Sequence, residues 1–106
     1  MINVKFRIFK NGSFKFSCKG HAGAGDYGHD PVCAGASALA YGWLEVLNQC
    51  GEMIEERNRT VVKDGVMELA FKPKAEYINS IALLFTAKRK EFEALQRGHE
   101  KYIKVW

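Results

Sequence analysis

Cys33 and His21 are the residues whose types and spacing could support acyl transfer, the thiol as nucleophile and the imidazole, twelve positions earlier, as general base. Asp30-Pro31 reads as a helix start, with Asp30 at the N-cap and Pro31 at the first helical position, where its missing N–H costs nothing. Cys33 is then the third helical residue. Unpaired N–H groups in the first turn carry partial positive charge, which favours thiolate over thiol and offers donors to an oxyanion. An imidazole brought beside that sulfur could take its proton and later return it to a leaving amine.

Each of these residues also has a plainer reading. A cysteine early in an apolar helix is commonly a small buried hydrophobe, and a histidine at a strand end is commonly a solvated polar residue. His29, just before the cap, is a second candidate base. Asp30 is favoured as a cap over a residue that orients His21. Ser37, one turn beyond Cys33 on the same face, is a candidate supporting hydroxyl, or a serine bonded to its own helix. Cys18, His21, His29 and Cys33 could in principle form a zinc set. Cys18 and His21, however, are an odd number of residues apart on what reads as one strand, and Cys18 follows Phe14 and Phe16 on the core side. No metal site and no cofactor are expected. Cys50, beside Gly51, is read as packing.

The elements that would position this pair follow from periodicity. Ile2, Val4, Phe6 and Ile8 alternate with polar residues over a strand from Ile2 to Phe9. Asn11-Gly12 signals a two-residue hairpin, and Ser13–Lys19 returns with Phe14, Phe16 and Cys18 inward and Ser13, Lys15 and Ser17 outward. Between Gly20 and Gly28 the pattern breaks, and Gly23, Gly25, Tyr27 and Gly28 suggest a flexible loop. From Pro31 to about Gly51, Val32, Ala36, Leu39, Trp43, Val46 and Leu47 make a helical stripe, with small residues that allow close approach to a sheet or a second subunit. Glu52–Thr60 reads as a loop or helix end. Val61-Val62 and Val66–Phe71 flank the turn Lys63-Asp64-Gly65. A second helix spans about Ala75–Gln96 on Ile78, Ile81, Phe85, Phe92 and Leu95, and Lys101–Trp106 reads as a last strand. The expectation is an α/β (α+β) fold of one domain, residues 1–106. Two helices pack on one mixed, mainly antiparallel sheet in the order β-β-α-β-α-β, the third β unit being a strand or a hairpin.

The chain's 106 residues carry a net charge of +4, with 47% hydrophobic and 26% charged residues. That suits one soluble domain. No apolar run approaches the roughly 20 residues of a membrane helix. The start, Met1-Ile2-Asn3-Val4-Lys5-Phe6, alternates unlike a signal peptide, so a cytoplasmic location with reduced cysteines is expected. The mild basic excess favours an anionic partner such as a ribosomal particle or its RNA, but with Lys and Arg interleaved with Glu over most of the chain it falls short of a nucleic-acid signature. Lys88-Arg89-Lys90 lacks interleaved aromatics and is read as a solvated face, so direct nucleic-acid recognition is not expected.

Gly20-His21-Ala22, Tyr27-Gly28-His29-Asp30 and Val32-Cys33-Ala34-Gly35-Ala36-Ser37-Ala38 together resemble the ribosomal-processing cysteine protease family Prp. Length and element order agree over the whole chain. Pro31 departs from that pattern, where an aliphatic residue is common. The resemblance implies a Cys33–His21 dyad, a flexible loop over the site and a homodimer. It also implies a substrate, the large-subunit ribosomal protein numbered twenty-seven, whose N-terminal extension is removed during ribosome assembly. The alternative carried beside it is a non-catalytic ribosome-associated binding module.

Overall fold

A computed structural model describes all residues, 1–106. Five strands form one sheet in the order β3-β4-β2-β1-β5, with strands β1 Ile2–Ile8, β2 Phe14–Lys19, β3 Ile54–Lys63, β4 Val66–Pro73 and β5 Ile103–Val105. Helices α1 Pro31–Gln49 and α2 Ile78–Gln96 make the second layer. All pairings are antiparallel except β1 with β5. Helix α1 carries the chain from β2 past β4 to the edge strand β3, and α2 carries it from β4 past β2 and β1 to β5. The expected two-layer α+β architecture with a mixed, mainly antiparallel sheet is therefore present, and the third β unit is a hairpin.

The two layers meet in an aromatic core. Phe14, Phe16, Phe71, Phe92 and Trp43 are fully buried, and the rings of Phe6 lie 5.0 Å from both Phe16 and Phe85. Edge-to-face pairs of this kind add about 0.5–1.5 kcal/mol each beyond the burial itself. Between the helices Gly35 faces Leu95, where an added Cβ would come within 3.2 Å of a Leu95 methyl. The small residue thus lets α1 and α2 approach each other.

Several local expectations are corrected. Glu55–Thr60 is not a loop but the exposed middle of β3. Two register shifts, at Ile54/Glu56 and Arg57/Arg59, break its alternation, and its position at the sheet edge leaves both faces wet. The β1–β2 connection is a three-residue loop, Lys10–Gly12. Phe9 N–H donates to Ser13 O, and Gly12 alone takes a positive φ. Ile8 is 57% exposed rather than inward, because β1 runs past the end of the helical layer. Ser17, expected outward, is buried on the helix-free face beneath longer side chains. Helix α2 starts at Ile78, after a 3₁₀ turn at Ala75–Tyr77, and Ile78 lies at its exposed rim.

Candidate active site

The end of β2, the loop after it, the start of α1 and the β3–β4 turn surround one groove of about 380 Å³. Helix α1 begins where the sequence signals it. Asp30 is extended at φ −96° and ψ 108°, Pro31 is the first helical residue, and the departure at Pro31 leaves the helix start intact. Asp30 Oδ1 accepts from Val32 N–H and Cys33 N–H, both at 3.0 Å, and its Oδ2 accepts from Ala24 N–H at 2.8 Å. These donors hold the Asp30 carboxyl below the usual carboxylate range, the Cys33 N–H contributing most.

That cap corrects one sequence expectation. The first-turn N–H groups of Val32 and Cys33 are taken by Asp30, and that of Ala34 donates to the Asp30 carbonyl at 3.0 Å. They are therefore not open to an oxyanion. The backbone donor that does face the sulfur comes from the loop: Ala22 N–H donates to Cys33 Sγ at 3.1 Å. No pattern in the sequence announces it, because it depends on how the loop folds back over the helix. Asp30, with both oxygens engaged, is a cap and a loop tether rather than a partner of His21.

His21 follows Gly20, whose N–H donates to the Gly65 carbonyl at 2.8 Å and so ties the end of β2 to the β3–β4 turn. The His21 ring lies against Gly65, where a Cβ would stand 2.9 Å from Nε2, and 6.3 Å from the Tyr27 ring in an edge arrangement. His21 and Cys33 line the same groove without a direct hydrogen bond. Ser37 lines it one turn beyond Cys33, as do Gly23, Gly25, Tyr27 and Gly28 from the loop. His29 is exposed and does not line it; its N–H turns back to the Asp26 carbonyl at 2.8 Å. The Lys63-Asp64-Gly65 turn, which the sequence marks only as a turn, also lines the groove.

Cys18 sits beneath the groove, and burial together with the nearby Cys33 pushes its thiol up to about 11. It is thus a neutral packing residue beside Cys33. No group of three or more His, Cys, Asp or Glu side chains is arranged to hold a metal ion, and no helix is long and apolar enough to cross a membrane.

A half-buried thiol at a capped helix start, with an imidazole lining the same peptide-sized groove, provides the parts from which thiol hydrolases are built. Residues 1–104 match the family described as cysteine protease Prp, and the chain belongs to that family. No curated protein matches it. Among solved structures, the ribosomal processing protease Prp from S. aureus with a covalently linked product peptide is 24% identical. The match covers 99% of this chain and 97% of that one at a TM-score of 0.72. The same protein in complex with a substrate peptide is 23% identical over 100% and 98%, at a TM-score of 0.67. SMU.848 from Streptococcus mutans is 24% identical over 99% and 91%, at a TM-score of 0.68. At these identities the likenesses speak for the fold, and the family match speaks for a cysteine protease.

Proposed function

We propose that this protease cuts the N-terminal extension from the large-subunit ribosomal protein numbered twenty-seven, with Cys33 as nucleophile and His21 as general base. The proposal includes cytoplasmic residence and action as a homodimer. The observation that carries the residue roles is the 3.1 Å contact from Ala22 N–H to Cys33 Sγ. The Ala22 nitrogen is bonded to the carbonyl carbon of His21, so the His21 Cα stands two bonds from an atom already touching the sulfur. In this reading the imidazole leaves its seat on Gly65 and reaches the thiol by rotation about the His21 side-chain bonds.

The steps then balance simply. The imidazole takes the Cys33 proton, the sulfur attacks the scissile carbonyl carbon, and the carbon–nitrogen bond breaks as the imidazolium returns its proton to the departing amine. Water, deprotonated by His21, attacks the thioester, and the thiol is restored. With the first-turn donors occupied by Asp30, Ala22 N–H is the backbone donor at hand for the oxyanion once substrate displaces it from the sulfur. The segment Gly25–His29 opens for substrate and closes to exclude water.

The solved S. aureus protein, a ribosomal processing protease bound to substrate and product peptides, supports a peptide substrate for this fold and a ribosomal one by kinship. The groove favours hydrolysis over the non-catalytic alternative. The test is incubation of the protein with a peptide spanning the extension junction. Cleavage that disappears in Cys33→Ala supports the reading; equal cleavage by Cys33→Ala overturns the assigned nucleophile.

A further inference from the structure

We infer that the helix-free face of the sheet is a binding surface for single-stranded RNA. The cations that form it are scattered in the chain at Lys5, Arg7, Lys15, Lys19, Arg59 and Lys104. Strand register gathers them. Arg7 pairs with Lys15, Lys5 with Ser17, Asn3 with both Lys19 and Lys104, and Arg59 with Ala70, all on the side away from the aromatic core. Glu68, bonded to Lys19 and Arg59, and Glu56, which pairs with Lys72 across β3 and β4, are the carboxylates beside them. Cations therefore outnumber carboxylates on this face by a margin as large as the +4 of the whole chain. The charge of the molecule is thus concentrated on one side.

The basic run visible in the sequence behaves oppositely. Lys88 pairs with Glu91 at 3.1 Å, Arg89 with Glu93 at 3.3 Å and Lys90 with Glu93 at 3.9 Å, so that run is largely neutralised. On the sheet, Lys5, Arg7, Lys15 and Lys104 make no ion pair within the molecule, and three of them border a shallow trough of about 520 Å³ between β1 and β2.

Aromatic rings complete the surface. Trp106 is half-exposed, with Lys104 Nζ 3.9 Å and Lys5 Nζ 5.6 Å from its ring centroid, and Phe9 is exposed at the far end of the trough. Cations that track a phosphate backbone beside rings on which bases stack are what single strands require. A second copy of the chain is disfavoured as the occupant, because a two-fold contact would set this positive face against itself. None of the six cations lines the groove of Cys33 and His21, so the two surfaces can be altered separately.

The test uses the full chain and a fluorescein-labelled oligouridylate of about 12 nucleotides, within the site sizes such surfaces occupy, followed by anisotropy. With four unpaired cations engaged, log K against log salt has a slope of about −2.8, which is about a 50-fold loss between roughly 50 and 200 mM salt. The triple variant Lys5→Gln, Arg7→Gln, Lys15→Gln loses binding by about 10-fold or more at low salt, with its far-UV circular dichroism and Tm retained. Lys5→Arg with Lys15→Arg keeps it, and Lys88→Ala with Lys90→Ala leaves it unchanged. Trp106→Leu weakens binding about 5-fold or more with the salt slope unaltered. Absence of binding at low salt, or undiminished binding by the triple glutamine variant, overturns the inference. Equal binding of polyglutamate overturns it in favour of an acidic protein partner, and equal binding of duplex RNA overturns the single-strand assignment.

Discussion

The imidazole of His21 rests directly on Gly65, so closely that a single methyl group at position 65 would stand 2.9 Å from Nε2. Gly65 also holds φ +71°, a backbone conformation that most side chains resist. Gly65→Ala is expected to push the imidazole off its seat and lower kcat/KM for the extension peptide by about 10²-fold, the scale of a small misplacement of a reacting group. Gly65→Asn, which tolerates positive φ but still carries a Cβ, separates the causes. If Asn restores full activity, backbone strain rather than crowding of His21 is responsible.

Cys33→Ala and His21→Ala are each expected to lower kcat on the order of 10⁴–10⁶-fold, with the double variant little worse than either single one, because the two act as a unit. Single-turnover cleavage checks this. Additive losses would show that they act independently.

Asp30→Asn and Asp30→Ala divide two tasks held by one carboxylate. Asparagine keeps one acceptor oxygen for the α1 cap but turns an amide toward Ala24 N–H, so the loop is released while the helix start survives. Alanine loses both. Hydrogen exchange is expected to quicken at Ala24 in both variants and at Val32 and Cys33 only in Asp30→Ala, which also has the lower Tm.

Acid should find Glu68 as a weak point. Lys19 and Arg59 hold its carboxyl down to about 2 from 4.5. A carboxylate with a depressed folded value stabilises fully above its unfolded value and loses that contribution as pH falls through the folded one. Urea midpoints of the parent chain therefore fall as pH drops from 4.5 toward about 2. Glu68→Gln, already less stable at neutral pH, shows a smaller decline across the same interval.

Alkali acts on Cys18. Its folded value near 11, against 9.0 unfolded, means that the native state keeps the proton longer. Stability from this group is complete below about 9 and is lost as pH rises through about 11. Cys18→Ala should flatten that alkaline decline. Alkylation of the native protein should modify Cys33 well before Cys18, as peptide mapping would show; equal rates would contradict the burial of Cys18.

Much of this was readable in advance. Asp30-Pro31 marks the start of α1, and the aromatic alternation of β2 and the stripe of α1 fix the core, because each rests on chemistry within a few residues. What escaped depends on distant parts meeting. β3 was hidden because its bulges scramble the period on which strand reading relies. The role of Ala22 N–H was hidden because a backbone amide looks alike everywhere in a sequence. The basic sheet face was hidden because its charges come from four strands, while the one contiguous run, at Lys88, is neutralised by glutamates three and four positions on.

The two oxygens of Asp30 have a mechanical consequence for access to the groove. One clasps the helix and the other clasps Ala24, so the span able to swing is bounded by the same side chain at both ends. In the proposed mechanism Gly25–His29 is then the short flap that lifts, while Ala24 stays tied to Asp30. On that reading the start of α1, and with it the position of Cys33, holds still while the flap moves.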